Sequence, residues 1–275
     1  MNVNLRNSQI AAVQAARAAG QLMRSNLHRA KKINAETSHD IKLDLDVRCQ
    51  KLIETRLRKT FPRIALLGEE GTAGAVDAQY RWVVDPIDGT VNFASGIPHA
   101  SVSIALQKWV PGVRGQGSGA RSQGSGEAGY ETVVGVVYDP FINELWTAVR
   151  GGMARLNGRP IRVSRRRQLG ESIVSIGFAK DRTSLECALP YFIWLSRRVR
   201  KVRMMGSAAL ALAYVATGRF DAYVERGINL WDIAAGGLIL ECAGGKFWRE
   251  STPGEHRFRM IASNGRLHQA LPVPD

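Results

Sequence analysis

Apolar and polar positions change period along the chain, and the changes mark its elements. Between residues 8 and 30, Ile10, Val13, Ala16, Leu22 and Met23 recur at helical spacing, which predicts a scaffold helix. From residue 40 to 61, Val47, Leu52, Ile53 and Leu57 form a second helical stripe, stopped at Phe61-Pro62. Short apolar runs then take over. Ile64 to Gly68 and Trp82 to Val84 are continuous and end abruptly, as buried strands do. Ala100 to Leu106, Thr132 to Tyr138 and Glu144 to Val149 read as further strands, and Asn157-Gly158 signals a hairpin turn. Strands and helices alternate after that. Strands are predicted near 172–178, 199–204, 220–225 and 260–263, and helices near 184–196, 207–217 and 231–242. Gly218 and Gly244-Gly245 stop two of those helices. The pattern divides the chain into an antiparallel-rich α+β half, residues 1–150, and an alternating α/β half, residues 151–275. Alternation argues for helices layered on sheets.

The pattern lapses between Leu106 and Thr132. Residues 111–129 are mostly Gly, Ser, Arg and Gln and have little to bury. A flexible insertion at a hairpin tip is the expectation.

Three apolar elements each deliver acids at one end. Ile64 to Gly68 runs into Glu69-Glu70, and Trp82 to Val84 runs into Asp85-Pro86-Ile87-Asp88-Gly89-Thr90. Trp231-Asp232 stands before the small-residue run Ile233 to Gly237. Carboxylates at the ends of buried strands are costly unless something compensates them. Pro86 fixes one φ angle, Gly89 admits close backbone approach, and Thr90 can start a helix whose N–H groups face an anion. Together these features suit a hard cation on carboxylates beside a phosphate on backbone amides.

Gly68-Glu69-Glu70, then Asp85-Pro86-Ile87-Asp88-Gly89-Thr90, then Trp231-Asp232 resembles the inositol monophosphatase family of Mg²⁺-dependent, lithium-sensitive phosphatases. The three motifs stand in family order, and the similarity spans roughly residues 40–110 and 130–265. The resemblance implies a five-layered α-β-α-β-α sandwich, a homodimer and a phosphomonoester substrate, with inositol monophosphate first and histidinol phosphate as the main competitor. It implies one Mg²⁺ on Glu69, Asp85 and the Ile87 carbonyl, and a second on Asp85, Asp88 and Asp232. A third ion is allowed near Glu69 and Glu70. Glu69 and Thr90, aided by Asp46, would orient and deprotonate the attacking water. Leu43 stands three residues before Asp46, where the family commonly has Thr. Asp88, Gly89, Thr90, Gly206, Ser207, Ala208, Glu225 and Asp232 would contact the substrate. Read without the resemblance, Asp44 and Ser207 are helix caps, and Glu225 is a partner for Arg226 or Arg203. His99 matches no catalytic position of the family and reads as a loop residue near the site.

Composition changes this picture in one respect. The 275 residues carry a formal charge of +14, so the surface attracts anions, either a phosphorylated substrate or RNA. A non-catalytic RNA- or ribosome-associated protein is the alternative from another class, although no RNA-binding motif accompanies the charge. Cys49, Cys187 and Cys242 are odd in number and lack CxxC spacing, which argues against a disulfide framework or a zinc site. No apolar run approaches the length of a membrane helix and no signal-like core opens the chain, so a cytoplasmic enzyme is expected.

Overall fold

A computed structural model describes residues 3–36, 41–74, 78–111, 129–178 and 182–274. The bulk of the expected insertion, 112–128, lies outside the described residues.

The chain opens with helix α1 (Leu5–Asn26), capped by Asn4, whose side chain accepts from Asn7 N at 3.0 Å. Its buried face takes in most of the expected stripe: Ala16 and Met23 are fully buried, and Val13 and Leu22 pack against the core. Ala11, Ala12, Ala15, Ala16, Ala19 and Gly20 are buried, whereas Ile10 is 49% exposed. The helix lies close on its neighbours, and small residues fit that contact where an isoleucine does not. The short strands β1 (Ile33–Glu36) and β2 (Ile41–Leu43) pair antiparallel, with no strand pattern in the sequence to announce them. Helix α2 (Asp44–Thr60) buries Leu45, Asp46, Cys49, Gln50, Ile53 and Leu57. Val47 belongs to the expected apolar stripe but is 44% exposed. The inward face is set by Cys49 and by two polar residues that serve the site.

Strands β3 (Ala65–Gly68), β4 (Gly71–Ala73) and β5 (Tyr80–Asp88) follow, then the short helix α3 (Thr90–Ala94) and strands β6 (Ser101–Trp109), β7 (Tyr130–Asp139) and β8 (Glu144–Val149). Strands β9 (Arg155–Leu156) and β10 (Arg159–Pro160) form the hairpin around Asn157-Gly158. These eight strands make one sheet in the order β10-β9-β8-β7-β6-β5-β3-β4, antiparallel except for β3 beside β5.

The rest of the chain is β11 (Ile173–Phe178), α4 (Arg182–Ser196), β12 (Lys201–Arg203), α5 (Ala208–Ala216), β13 (Ala222–Asn229), α6 (Leu230–Cys242), β14 (Lys246–Ser251) and β15 (Arg257–Ser263). Its five strands run β12-β11-β13-β15-β14, parallel through β12, β11 and β13 and antiparallel beyond. Strand β13 runs past the expected end at Glu225, and β14 was not expected at all; both carry charged residues that hide their period.

Three cores define the layers. The first joins α1 and α2 to one face of the large sheet. The second joins α5 and α6 to the opposite face of that sheet and to the small sheet. The third packs α4 on the outer face of the small sheet. The order is α1α2, large sheet, α5α6, small sheet, α4, which is the expected five-layered sandwich. Helices α5 and α6 therefore begin between the two sheets, and their N-termini reach the acids of β5.

Candidate active site

The site is built around a defect in β5. Opposite β6, Asp85 pairs with Ser103 and Asp88 with Ser101, so three steps on β5 match two on β6. The extra residue is a bulge, which re-aims side chains at a strand end. It falls at Pro86, which has no N–H to give a ladder. Asp85 Oδ1 takes up the local slack by accepting from Ile87 N at 3.0 Å.

The bulge turns Asp85 and Asp88 toward the start of α6. Asp232 sits in the first turn of α6 and accepts from Asn229 N at 3.0 Å. Ser103 Oγ donates to Trp231 O at 3.0 Å, tying that turn to β6. Asp85, Asp88 and Asp232 each offer a carboxylate oxygen within 4.8 Å of the others. Glu69 enters from the β3–β4 turn and hydrogen-bonds with Asp85. Asp85 and Asp88 are buried at the floor, and Glu69 and Asp232 are half-buried at the mouth.

Burial raises the proton affinity of all four acids. Glu69 and Asp85 lie well above the usual carboxylate range because of desolvation, then because of repulsion from neighbouring acids. Asp232 is pushed up to about 7 by burial and then by Asp88. Asp88 is raised by burial, and donors oppose the shift. Ser207 Oγ, Ser101 Oγ (3.1 Å), Ala208 N (2.9 Å) and Ala209 N (3.0 Å) all donate to it. Among the described residues, no Lys or Arg pairs with any of the four. A set of converging oxygens with uncompensated negative charge fits a hard divalent cation.

The other predicted residues gather nearby. Thr90 Oγ1 donates to the Ile87 carbonyl at 2.9 Å. Gly89 has φ +95°, and a Cβ there would meet the Gly206 and His99 carbonyl oxygens at 3.0 Å, so the position needs glycine for both reasons. Asp46 is buried in the first turn of α2, accepts from Leu43 N at 2.7 Å and adds to the field on Glu69. Ser207 stands at the N-cap of α5, but its hydroxyl serves Asp88 rather than its own helix. Glu225 pairs with neither arginine weighed for it; it accepts from the Tyr223 hydroxyl. Burial is the first cause that pushes Glu225 up to about 8, and the charges of Asp232 and Asp88 add to it. The His99 ring lies edge-on to Tyr214, 6.1 Å between centroids, and burial lowers its pKa. Cys49 and Cys242 are free thiols, and burial pushes Cys49 up to about 12.

Four supporting residues escaped sequence reading. Gln50 of α2 holds the β3–β4 turn from both sides: its Oε1 accepts from Glu70 N at 3.0 Å and its Nε2 donates to Gly71 O at 3.1 Å. A Cβ at Gly68 would lie 2.2 Å from that Oε1. Ser101 and Ser103 occupy what look like the outward positions of a half-buried strand, yet both are buried against the acids. Asn92 links α3 to the loop before α5. The one available signal was that β6 places serines, not aliphatic residues, opposite the acids.

Comparison with known proteins identifies the family. The model of the inositol monophosphatase family matches residues 4–114 and 128–271. The unmatched stretch falls within the Gly/Ser-rich segment, as an insertion would. The chain is 38% identical over 241 residues to Nus factor SuhB of Pasteurella multocida, covering 85% of this chain and 82% of that one. It is 34% identical over 272 residues to inositol monophosphatase 1 of Solanum lycopersicum, covering 94% and 91%. The crystal structure of extragenic suppressor protein suhB from Bartonella henselae superposes with a TM-score of 0.81 at 32% identity, covering 95% of each chain. The chain belongs to the inositol monophosphatase family and is a phosphomonoesterase by that membership.

Proposed function

We propose that the protein is a Mg²⁺-dependent phosphatase of small phosphorylated polyols, with myo-inositol 1-phosphate as its leading substrate. The observation that carries this reading is the convergence of Asp85, Asp88 and Asp232 within 4.8 Å, next to the left-handed turn at Gly89. Two Mg²⁺ are proposed, held by Glu69, Asp85 and the Ile87 carbonyl and by Asp85, Asp88 and Asp232; the family resemblance allows a third near Glu69 and Glu70. Bound there, Mg²⁺ supplies Lewis acidity toward the phosphate and lowers the pKa of water.

The chain's own groups do the rest. Thr90 Oγ1 donates a hydrogen bond to the Ile87 carbonyl, which leaves its oxygen lone pairs to accept from a water. Glu69 takes that water's proton, its affinity raised first by burial and then by the charges of Asp232 and Asp46. The water's oxygen bonds to phosphorus in line as the ester P–O bond breaks; the departing polyol oxygen takes a proton from solvent, Glu69 returns its own to solvent, and no covalent enzyme intermediate forms. The backbone N–H groups of Gly89 and Thr90 hold phosphate oxygens. Gly206, Ser207, Ala208 and Glu225 face the polyol, and Glu225 accepts from its hydroxyls. A cytoplasmic homodimer belongs to the same proposal; no helix among the described residues is long and apolar enough to cross a membrane.

Phosphate release from inositol 1-phosphate, histidinol phosphate, fructose 1,6-bisphosphate and 3'-phosphoadenosine 5'-phosphate, with Mg²⁺ and with EDTA, tests this reading. Metal-dependent kcat/KM far highest for inositol 1-phosphate is expected. A higher value for histidinol phosphate would reassign the substrate, and no turnover of any ester would overturn the phosphatase reading.

A second reading has its own observation. Several relatives are named Nus factor SuhB, and this chain carries a formal charge of +14. We infer that an RNA-associated role can accompany the phosphatase. Retention of structured RNA at physiological salt would support it, and complete release there would remove it.

A further inference from the structure

Asn92 joins two segments that lie far apart in sequence. It stands on α3, two residues after Thr90. Its side-chain Nδ2 donates to His99 O at 2.9 Å, Met205 O at 2.9 Å and Gly206 O at 3.4 Å. The first carbonyl lies in the loop before β6 and the other two in the loop before α5. Gly206 has φ +71°, and a Cβ there would lie 3.1 Å from Asn92 Nδ2. The loop thus adopts a left-handed bend where the amide fits against it.

That loop leads directly to the donors of Asp88. Ser207, Ala208 and Ala209 come next in the chain, and all three donate to its carboxylate. The N-terminus of α5 is therefore positioned on Asp88, and the loop that enters it is held by Asn92. The His99 and Gly206 carbonyls that Asn92 draws together are also the two that would crowd a Cβ at Gly89. One amide thus fixes the wall of the Gly89 turn and the donors of Asp88.

We propose that Asn92 is a positioning residue for the metal and substrate site, acting through the 205–207 loop on Asp88 and Gly89. The proposal rests on the phosphatase reading for its kinetic consequence, but not for its structural one. An aspartate in its place has the same shape, yet its charged carboxylate faces three carbonyl oxygens and donates to none. The α5 N-terminus is then no longer held, and Asp88 loses its fixed orientation.

The test compares the wild-type chain with Asn92→Asp and Asn92→Ser, each checked for folding by circular dichroism. Three quantities are read: amide exchange at Ala208 and Ala209, Mg²⁺ affinity by calorimetry, and kcat separately from KM. For Asn92→Asp, exchange at both alanines is expected to rise about tenfold and Mg²⁺ affinity to fall about tenfold, with kcat falling more than KM rises. Asn92→Ser keeps one donor and is expected to fall between the two. A melting temperature that drops while exchange, Mg²⁺ affinity and kcat all stay within about twofold would overturn the proposal, because a structural role alone would account for it. If the wild-type chain hydrolyses no phosphate ester, the phosphatase reading fails. Exchange at Ala208 and Ala209 then still decides the role of Asn92.

Discussion

Two buried acid sites in this molecule resolve the same problem in opposite ways. Asp221, immediately before β13, is fully buried and saturated: Arg166 Nη1 lies 3.0 Å from its Oδ1, Ser164 donates to Oδ1, and Ile173 N donates to Oδ2 at 2.8 Å. Asp85 is equally buried, but its neighbours are Glu69, Asp88 and Asp232. One carboxylate has its cation built in and ties loop to strand. The other group of carboxylates has like charges as its nearest ionisable neighbours and is left needing a cation from outside. Burial alone marks neither as functional; the sign of the neighbouring charge does.

The comparison breaks most sharply under mutation. Asp85→Asn is expected to lower kcat by at least about a thousandfold, because the substituted side chain no longer carries the charge that a shared ligand must supply. Phosphate release at saturating Mg²⁺ measures it. Asp221→Ala is expected to act on stability instead, by about 3 kcal/mol, since it strands a guanidinium, a hydroxyl and an N–H around a buried hole. Denaturant unfolding reads that loss, while kcat per folded molecule should remain within about threefold. Equal activity losses from both substitutions would erase the distinction.

A change of pH sharpens it further. The folded pKa of Asp232 is raised from 3.8 to about 7, and Glu69 and Asp85 shift in the same direction. The folded chain therefore holds protons that the unfolded chain has released, so metal-free stability is largest at low pH and falls as pH rises through about 7. Mg²⁺ needs the deprotonated acids. Its stabilisation, read as a melting shift, should therefore be larger near pH 8 than near pH 5. A pH-independent shift would place the ion elsewhere.

Smaller effects are expected from the supports. Gly68→Ala forces a Cβ to within 2.2 Å of Gln50 Oε1 and should displace the turn that carries Glu69. About tenfold in kcat and about 1–2 kcal/mol in stability are expected, measured on the same preparation. Asp139 lies in neither site. Burial pushes it up to about 6, and the N–H groups of Phe141 and Ile142 oppose the shift. It too costs stability as pH rises from 3.8 toward about 6. Asp139→Asn should flatten that slope by about 1 kcal/mol and leave Mg²⁺ binding unchanged.

The acids were legible in the sequence because each ends an apolar run, where a carboxylate is out of place. Their order along the chain was enough to find the fold's layers by resemblance. The supports were not legible, because each acts across a distance in sequence. Gln50 reaches a turn around Glu70, Ser101 reaches Asp88 across the sheet, and Asn92 reaches Met205 in the second half. A polar residue inside a helical or strand pattern reads as solvent-facing until its partner is known. The α1 face was misread at one position for a related reason: Ile10 carried a hydrophobic signal, but Ala11, Ala12, Ala15 and Ala19 fill the close contact. The pairing of Glu225 with Tyr223 was hidden because Arg226 next to it and Arg203 on β12 offered more obvious partners.

The measurement that bears most directly on the central claim is calorimetric titration of Mg²⁺ into the wild-type chain and into Asp85→Asn at neutral pH. The account predicts saturable binding to the wild-type chain, and affinity weaker by at least about tenfold in the variant, whose fold is intact. Equal Mg²⁺ affinity in the two proteins would mean that the buried acids are not the metal site.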